Sequence, residues 1–175
     1  MNVNLRRVLV VLALCAGGLA AHVGTPRPPL AVDEVSAGQL AEWIRARRPG
    51  LRLLDTRDAQ AMERDRLPGA RSANDVDPDA IATSDTVVVY ADRRIDERTV
   101  EMVRHRLHSR RILRLHGGVE AWNAEVLFPV LRSDASAQQQ RDFAGRAQLS
   151  RYFGGAPRVL DPGATRERTR SRRGC

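Results

Sequence analysis

A chain of 175 residues has room for one domain with a real core plus extensions and is too short for two ordinary domains. Its formal charge of +8 invites nucleic acid as a partner, but residues 32–132 hold 17 Arg against 17 Asp plus Glu, so the excess sits at the ends and no nucleic-acid role is expected. All 29 basic residues are Arg, read as codon bias from a GC-rich genome, and the two cysteines, Cys15 and Cys175, lie too far out to give the domain a disulfide framework or a Cys-rich zinc site.

Taken from the start, Arg6 and Arg7 precede the apolar run Val8 to Leu14 and the small residues Ala16 to Ala21. Residues 1–23 therefore read as a signal peptide, with cleavage after Ala20 or Ala21, or as an N-terminal anchor; the run is short for a span, which needs about 20 apolar residues. The expectation is export, to a periplasm or to an outward-facing anchored position. Residues 24–31, with Pro26, Pro28 and Pro29, form a Pro-rich linker.

Ser36 is placed to cap a helix whose Leu40, Trp43 and Ile44 recur at helical spacing until Pro49-Gly50. Leu51 to Leu54 reads as a short strand with Asp55-Thr56-Arg57 at its carboxyl end. One or two helical turns follow over Ala59 to Arg64, then a turn at Leu67-Pro68-Gly69-Ala70 and an acidic, loop-like stretch from Asp75 to Thr83. Thr86 to Tyr90 is apolar and β-branched, the pattern of a strand buried on both faces of a parallel sheet. Ligands of such sheets sit beyond the carboxyl ends of the strands, so the loop Ala91, Asp92, Arg93, Arg94, Ile95, Asp96, Glu97, Arg98 is the candidate site.

Val100, Val103 and Leu107 form one stripe, predicting a helix from Glu97 to His108 whose dipole Asp96 and Glu97 complement. His105 and His108 share a face of that helix but have no further ligands nearby, so neither metal nor cofactor is expected. Ile112 to Leu115 is a third strand, Gly117-Gly118 a sharp turn and Val119 to Glu125 a short helix. Alternating strands and helices predict an α/β domain over residues 32–132, with a central, mainly parallel sheet flanked by helices. Residues 133–160 read as a polar, partly helical extension, in which Leu149 to Gly155 is a small aromatic patch able to dock on the domain. Residues 161–175 read as an Arg-rich disordered tail.

Three segments together resemble the rhodanese-like domain of the sulfurtransferase superfamily. Leu53-Leu54-Asp55-Thr56-Arg57 resembles the family's strand followed by Asp-x-Arg, Arg66-Leu67-Pro68-Gly69-Ala70 its His-Ile-Pro-Gly-Ala turn, and Leu115-His116-Gly117-Gly118-Val119-Glu120-Ala121-Trp122 its Gly-Gly-x-x-Ala-Trp turn and helix. The resemblance implies a single rhodanese-like domain in which the strand matching Thr86 to Tyr90 delivers a cysteine that accepts sulfane sulfur. The following loop would then fold its amides around the anion. Here that position is Ala91, which cannot act as a nucleophile. The loop also has no Gly and carries Asp92, Asp96 and Glu97, while Arg66 replaces the family's His.

The expectation is thus a catalytically inactive binding or interaction module, with an unknown protein or small anion at the 91–98 loop and an anionic envelope surface as candidate contact for the basic tail. Asp55 and Arg57 read as a structural pair at the strand end, and Trp43 and Trp122 as core residues. Arg93, Arg94 and Arg98 either clamp an anion or form a solvated, salt-bridged surface. Cys175 is the candidate reactive thiol for a rival reading, a sulfurtransferase or sulfur carrier; a membrane-tethered structural protein is the third.

Overall fold

Val87, Val88 and Val89 are completely buried, as a run with no polar face requires, and the whole fold is assembled on them. The computed structural model describes residues 33–107 and 111–161. The readings of residues 1–31 as signal and linker, of nearly all the tail, and of Cys175 lie outside them.

Strands β1 (Glu34–Val35), β2 (Leu51–Asp55), β3 (Arg71–Ser72), β4 (Thr86–Tyr90) and β5 (Arg111–Leu115) form one sheet in the order β1-β5-β4-β2-β3, with every neighbouring pair parallel. The pleat sends alternate side chains to opposite faces. Leu53, Val88, Tyr90, Leu113 and Leu115 meet the helix α1 (Ala37–Arg45) through Leu40 and Ala41. Leu54, Val87, Val89 and Ile112 meet Val100 and Val103 of α3 (Glu97–Arg106) and the segment carrying Val76 and Ile81. Each fully buried Val or Leu contributes roughly 1.5–3 kcal/mol of transfer free energy, so this two-sided burial dominates the stability. The fold is the expected α/β domain with a parallel central sheet.

Local chemistry sets the element ends. Ser36 Oγ accepts the Gln39 N–H at 3.2 Å, and Asp58 accepts from Ala61 at 2.7 Å to start α2 (Ala59–Asp65). The acidic stretch contains one tight turn, Pro78–Ala80. The helix expected over Val119 to Glu125 is instead α4 (Gly118–Ala121) running into a widened turn, Trp122–Leu127, in which the Phe128 N–H reaches back five residues to the Asn123 carbonyl at 2.8 Å. Strands β1 and β3 span two residues each, too few for any periodicity to show.

The extension folds against the domain. A reciprocal capping box between Ser136 and Gln139 opens α5 (Ala137–Tyr152), and Leu149 is buried in the same cluster as Trp122. Phe153 meets the Trp122 ring edge-on at 5.1 Å. Ser150, fully buried, donates to the Leu127 carbonyl at 2.7 Å, and the same oxygen accepts the Ala156 N–H at 2.8 Å. The aromatic patch therefore docks on the widened turn, and β6 (Val130–Arg132) pairs in parallel with β7 (Arg158–Leu160) beside it. Ser150→Ala is expected to lower unfolding free energy by about 1 kcal/mol, because one buried hydrogen bond is lost while Leu127 keeps its second donor. Urea denaturation of the full chain measures it; a loss above about 3 kcal/mol would mean the docking depends on more than that bond. Among the described residues no helix is long and apolar enough to cross a membrane.

Candidate functional site

At the carboxyl end of β4 the chain leaves the sheet at Ala91, whose methyl packs partly buried against the core on the α3 face. The segment that follows is tied down from several sides. Its Ala91 and Asp92 carbonyls accept the N–H groups of Val119 at 3.0 Å and Glu120 at 2.9 Å, at the start of α4. Gly118, with φ +58°, makes this approach possible: a Cβ there would lie 2.3 Å from Ala91 O, 2.6 Å from Arg93 O and 2.7 Å from Asp92 O. Three successive carbonyls of the segment thus converge on one glycine. Ile95, 3 % exposed, anchors the middle of the segment in the core.

Asp96 closes the segment by capping α3. Its Oδ1 accepts the Thr99 N–H at 2.8 Å and its Oδ2 the Thr99 hydroxyl at 2.7 Å. The Thr99 hydroxyl bond first, then the backbone N–H, holds this carboxyl below the usual carboxylate range. Its charge is directed at its own helix. Glu97 and Arg98 are exposed on the first turn of α3.

Arg57 lies at the centre of the second part of the site. Asp55, at the end of β2, is fully buried, and Arg57 binds it in a fork, Nε to Oδ1 at 3.0 Å and Nη2 to Oδ2 at 2.8 Å; the Arg57 backbone N–H donates to the same Oδ1 at 3.0 Å. Nη1 donates to Asp65 at 2.8 Å and to Asp92 at 3.0 Å, and Nη2 to the Asp65 carbonyl at 3.1 Å. One guanidinium therefore joins β2, α2 and the 91–98 segment. The bond to Asp55 outweighs burial and raises its pKa further above the ordinary arginine value. Beneath it, the Tyr90 hydroxyl accepts the Leu67 N–H at 3.3 Å, and burial, reinforced by the nearby Asp55 charge, pushes the phenol above its ordinary range. With its donors directed at three carboxylates, Arg57 is a clamp and has little left for a ligand.

The remaining candidates are dispersed. Arg66 is exposed and lines an open cleft of about 710 Å³ with Arg57, Met62 and Arg71, to which no residue of the 91–98 segment contributes. Arg93 is exposed and its Nε donates to Glu120 at 2.6 Å, the bond that raises its pKa. Arg93, Arg94 and Ile95 do line a cleft, of about 410 Å³, together with Glu34, Arg114 and His116. The sequence reading did not single out these last three as a group; their signal was that His116 stands between the end of a strand and Gly117-Gly118. Trp122 is buried as expected, whereas Trp43 is partly exposed with the Arg48 guanidinium 4.1 Å above its ring. Among the described residues no group of three His, Cys, Asp or Glu side chains is placed to hold a metal ion.

Comparison with known proteins adds a family match. The family model described as rhodanese-like domain matches residues 36–125. Among solved structures, a Bacillus halodurans protein is 19% identical over 53% of this chain and 72% of its own, with a TM-score of 0.44. A Rhodopseudomonas palustris protein of unknown function, described as a possible tyrosine phosphatase, is 14% identical over 53% of this chain and 80% of its own, also at 0.44. The rhodanese-like domain of an Anabaena protein is 21% identical over 51% of this chain and 72% of its own, at 0.40. No curated protein matches the chain.

Proposed function

The chain belongs to the rhodanese-like domain family, and from that premise we propose that it is an exported, catalytically inactive member that serves as a binding module and presents the 91–98 segment to a protein or a small anion. The observation that carries this reading is Ala91. It stands where the family resemblance places the nucleophilic cysteine, and its methyl packs against the core. Sulfur transfer through a protein persulfide needs a polarizable thiolate at that point, and a methyl group offers no electron pair to the incoming sulfur.

The surroundings support the same reading. The Arg57 guanidinium beside the site is consumed by Asp55, Asp65 and Asp92, so it offers little charge to a passing thiosulfate. Export rests on the charged, apolar and small-residue pattern of residues 1–23.

The test is a thiosulfate:cyanide sulfurtransferase assay on the mature protein and on Cys175→Ser, with N-terminal sequencing of the mature form. The expected result is no transfer above buffer in either protein and a mature start near Ala21 or His22. Transfer that survives Cys175→Ser sinks the inactive-module reading. Transfer that disappears with Cys175→Ser, together with a sulfur adduct on Cys175 by intact mass, replaces it with the sulfur-carrier reading.

A further inference from the structure

The cleft of about 410 Å³ opens where β1 and β5 run out beside the 91–98 segment, and Ala91 does not line it. Its charges come from three stretches of chain. Arg93 and Arg94 belong to the segment, Arg114 and His116 to the end of β5, and Glu34 to β1. The parallel register places Glu34 directly beside Arg114, so the carboxylate and the guanidinium leave the same face of the sheet edge.

Glu34 reaches both Arg114 and His116, with Arg114 Nη2 3.3 Å from its Oε1 and His116 Nδ1 2.9 Å from its Oε2. The His116 bond first, helped by the fields of Arg114, His116 and Arg94, holds the Glu34 carboxyl below the usual carboxylate range against a burial penalty larger than any one of those fields. That one long contact leaves most of the Arg114 donor fork unspent. The side chain is only 13% exposed, so its position is set, and its buried Nε has no acceptor. Arg94 is exposed and makes no ion pair or side-chain hydrogen bond among the described residues. With Arg93 matched by Glu120, the cleft holds two guanidiniums against one carboxylate, with a histidine beside them.

We propose that this cleft is a binding site for a tetrahedral oxyanion, a phosphate or sulfate group either free or carried on a small ester, held by Arg94 from one side and by Arg114 and His116 from the other. The site deepens the binding-module reading and rests on it for the role of the 91–98 segment. A planar carboxylate has two oxygens to offer in one plane, and Glu34 already spends one on Arg114 and the other on His116. A tetrahedral dianion presents oxygens in several directions and can accept from separate donors. The volume lies within the roughly 300–1,000 Å³ of small-molecule sites, so a short ester has room behind its anionic group.

The experiment is a calorimetric titration of the full chain with inorganic phosphate, inorganic sulfate and glycerol phosphate, each against chloride at matched ionic strength. Saturable binding is expected, weakened about tenfold by Arg94→Ala or Arg114→Gln through loss of a charge-assisted hydrogen bond. Glu34→Gln removes the like charge and is expected to tighten binding, a sign that a merely damaged fold does not produce. Arg66→Ala, in the other cleft, is the control and leaves affinity unchanged. Tighter binding of glycerol phosphate than of either ion identifies an ester as ligand, and equal binding identifies the free ion. Absence of saturation up to about 10 mM, or equal weakening by Arg66→Ala and Arg94→Ala, overturns the site. Arg94 is exposed, so its variant keeps the fold and the result stands even where Arg114→Gln does not fold. Sulfurtransferase activity would overturn the inactive-module reading and leave a positive titration intact, whereas a negative titration leaves the assay result untouched.

Discussion

Arg57→Met is expected to lower unfolding free energy by about 3–5 kcal/mol, because it strands the carboxylate of Asp55 in the interior without the guanidinium that balances its charge. The partners of Arg57 are unequal. Asp55 is fully buried, while the side chains of Asp65 and Asp92 are 46% and 70% exposed. Removing an exposed partner forfeits an ion pair that water already screens, so Asp65→Ala and Asp92→Ala are each expected to cost less than about 1 kcal/mol. Combining Arg57→Met with Asp55→Asn should recover part of the loss, since no buried charge is then left alone. Urea denaturation gives the free energies, and hydrogen exchange in residues 91–96 reports whether the segment loosens once Asp92 is released. A loss below about 1 kcal/mol in Arg57→Met would show that the buried carboxylate finds another partner and that the clamp is dispensable.

Gly118→Ala should be nearly as damaging, at about 2–5 kcal/mol, from two causes that act together. The position has φ +58°, which a β-carbon disfavours, and the added carbon would meet three backbone carbonyls at 2.3–2.7 Å. Backbone cannot rotate aside as a side chain can. Relief requires the 91–93 stretch to retreat, and that breaks the bonds from Val119 to Ala91 and from Glu120 to Asp92. Gly69→Ala separates the causes: its φ is +77° but nothing lies within 4 Å of the added carbon, so only the conformational strain remains. Thermal unfolding of both variants decides the matter, and equal losses would refute the close approach at Gly118.

The comparison of Gly117-Gly118 before and after folding shows where local reading stops. The pair is visible as a sharp turn in the sequence, since two glycines between a strand and a helix allow little else. That the second one admits the carbonyls of a segment more than twenty positions earlier is a contact between distant stretches, and no local pattern encodes it. Asp92 and Asp96 make the same point. As loop acids they read as charge on the candidate site, yet Asp96 spends its charge on its own helix and Asp92 pairs with Arg57, 35 positions away. The cleft of Glu34, Arg94, Arg114 and His116 needed the β1–β5 register to exist at all.

From the sequence alone came the buried strand Thr86–Tyr90, the helices that cover it, the α/β class and the family resemblance, which implies that Ala91 stands at the nucleophile position. The strand, the helices and the class follow from the order and period of residues within about twenty positions, because side-chain direction repeats every 2 residues in a strand and every 3.6 in a helix. Only the tertiary structure decided which charges are spent and which remain. Pairing depends on the distance between residues far apart in the chain, and on burial that turns a weak surface contact into a demanding one. On that ground Arg57 became a clamp closed on three carboxylates, while Arg94 and the under-used fork of Arg114 were left facing a cleft.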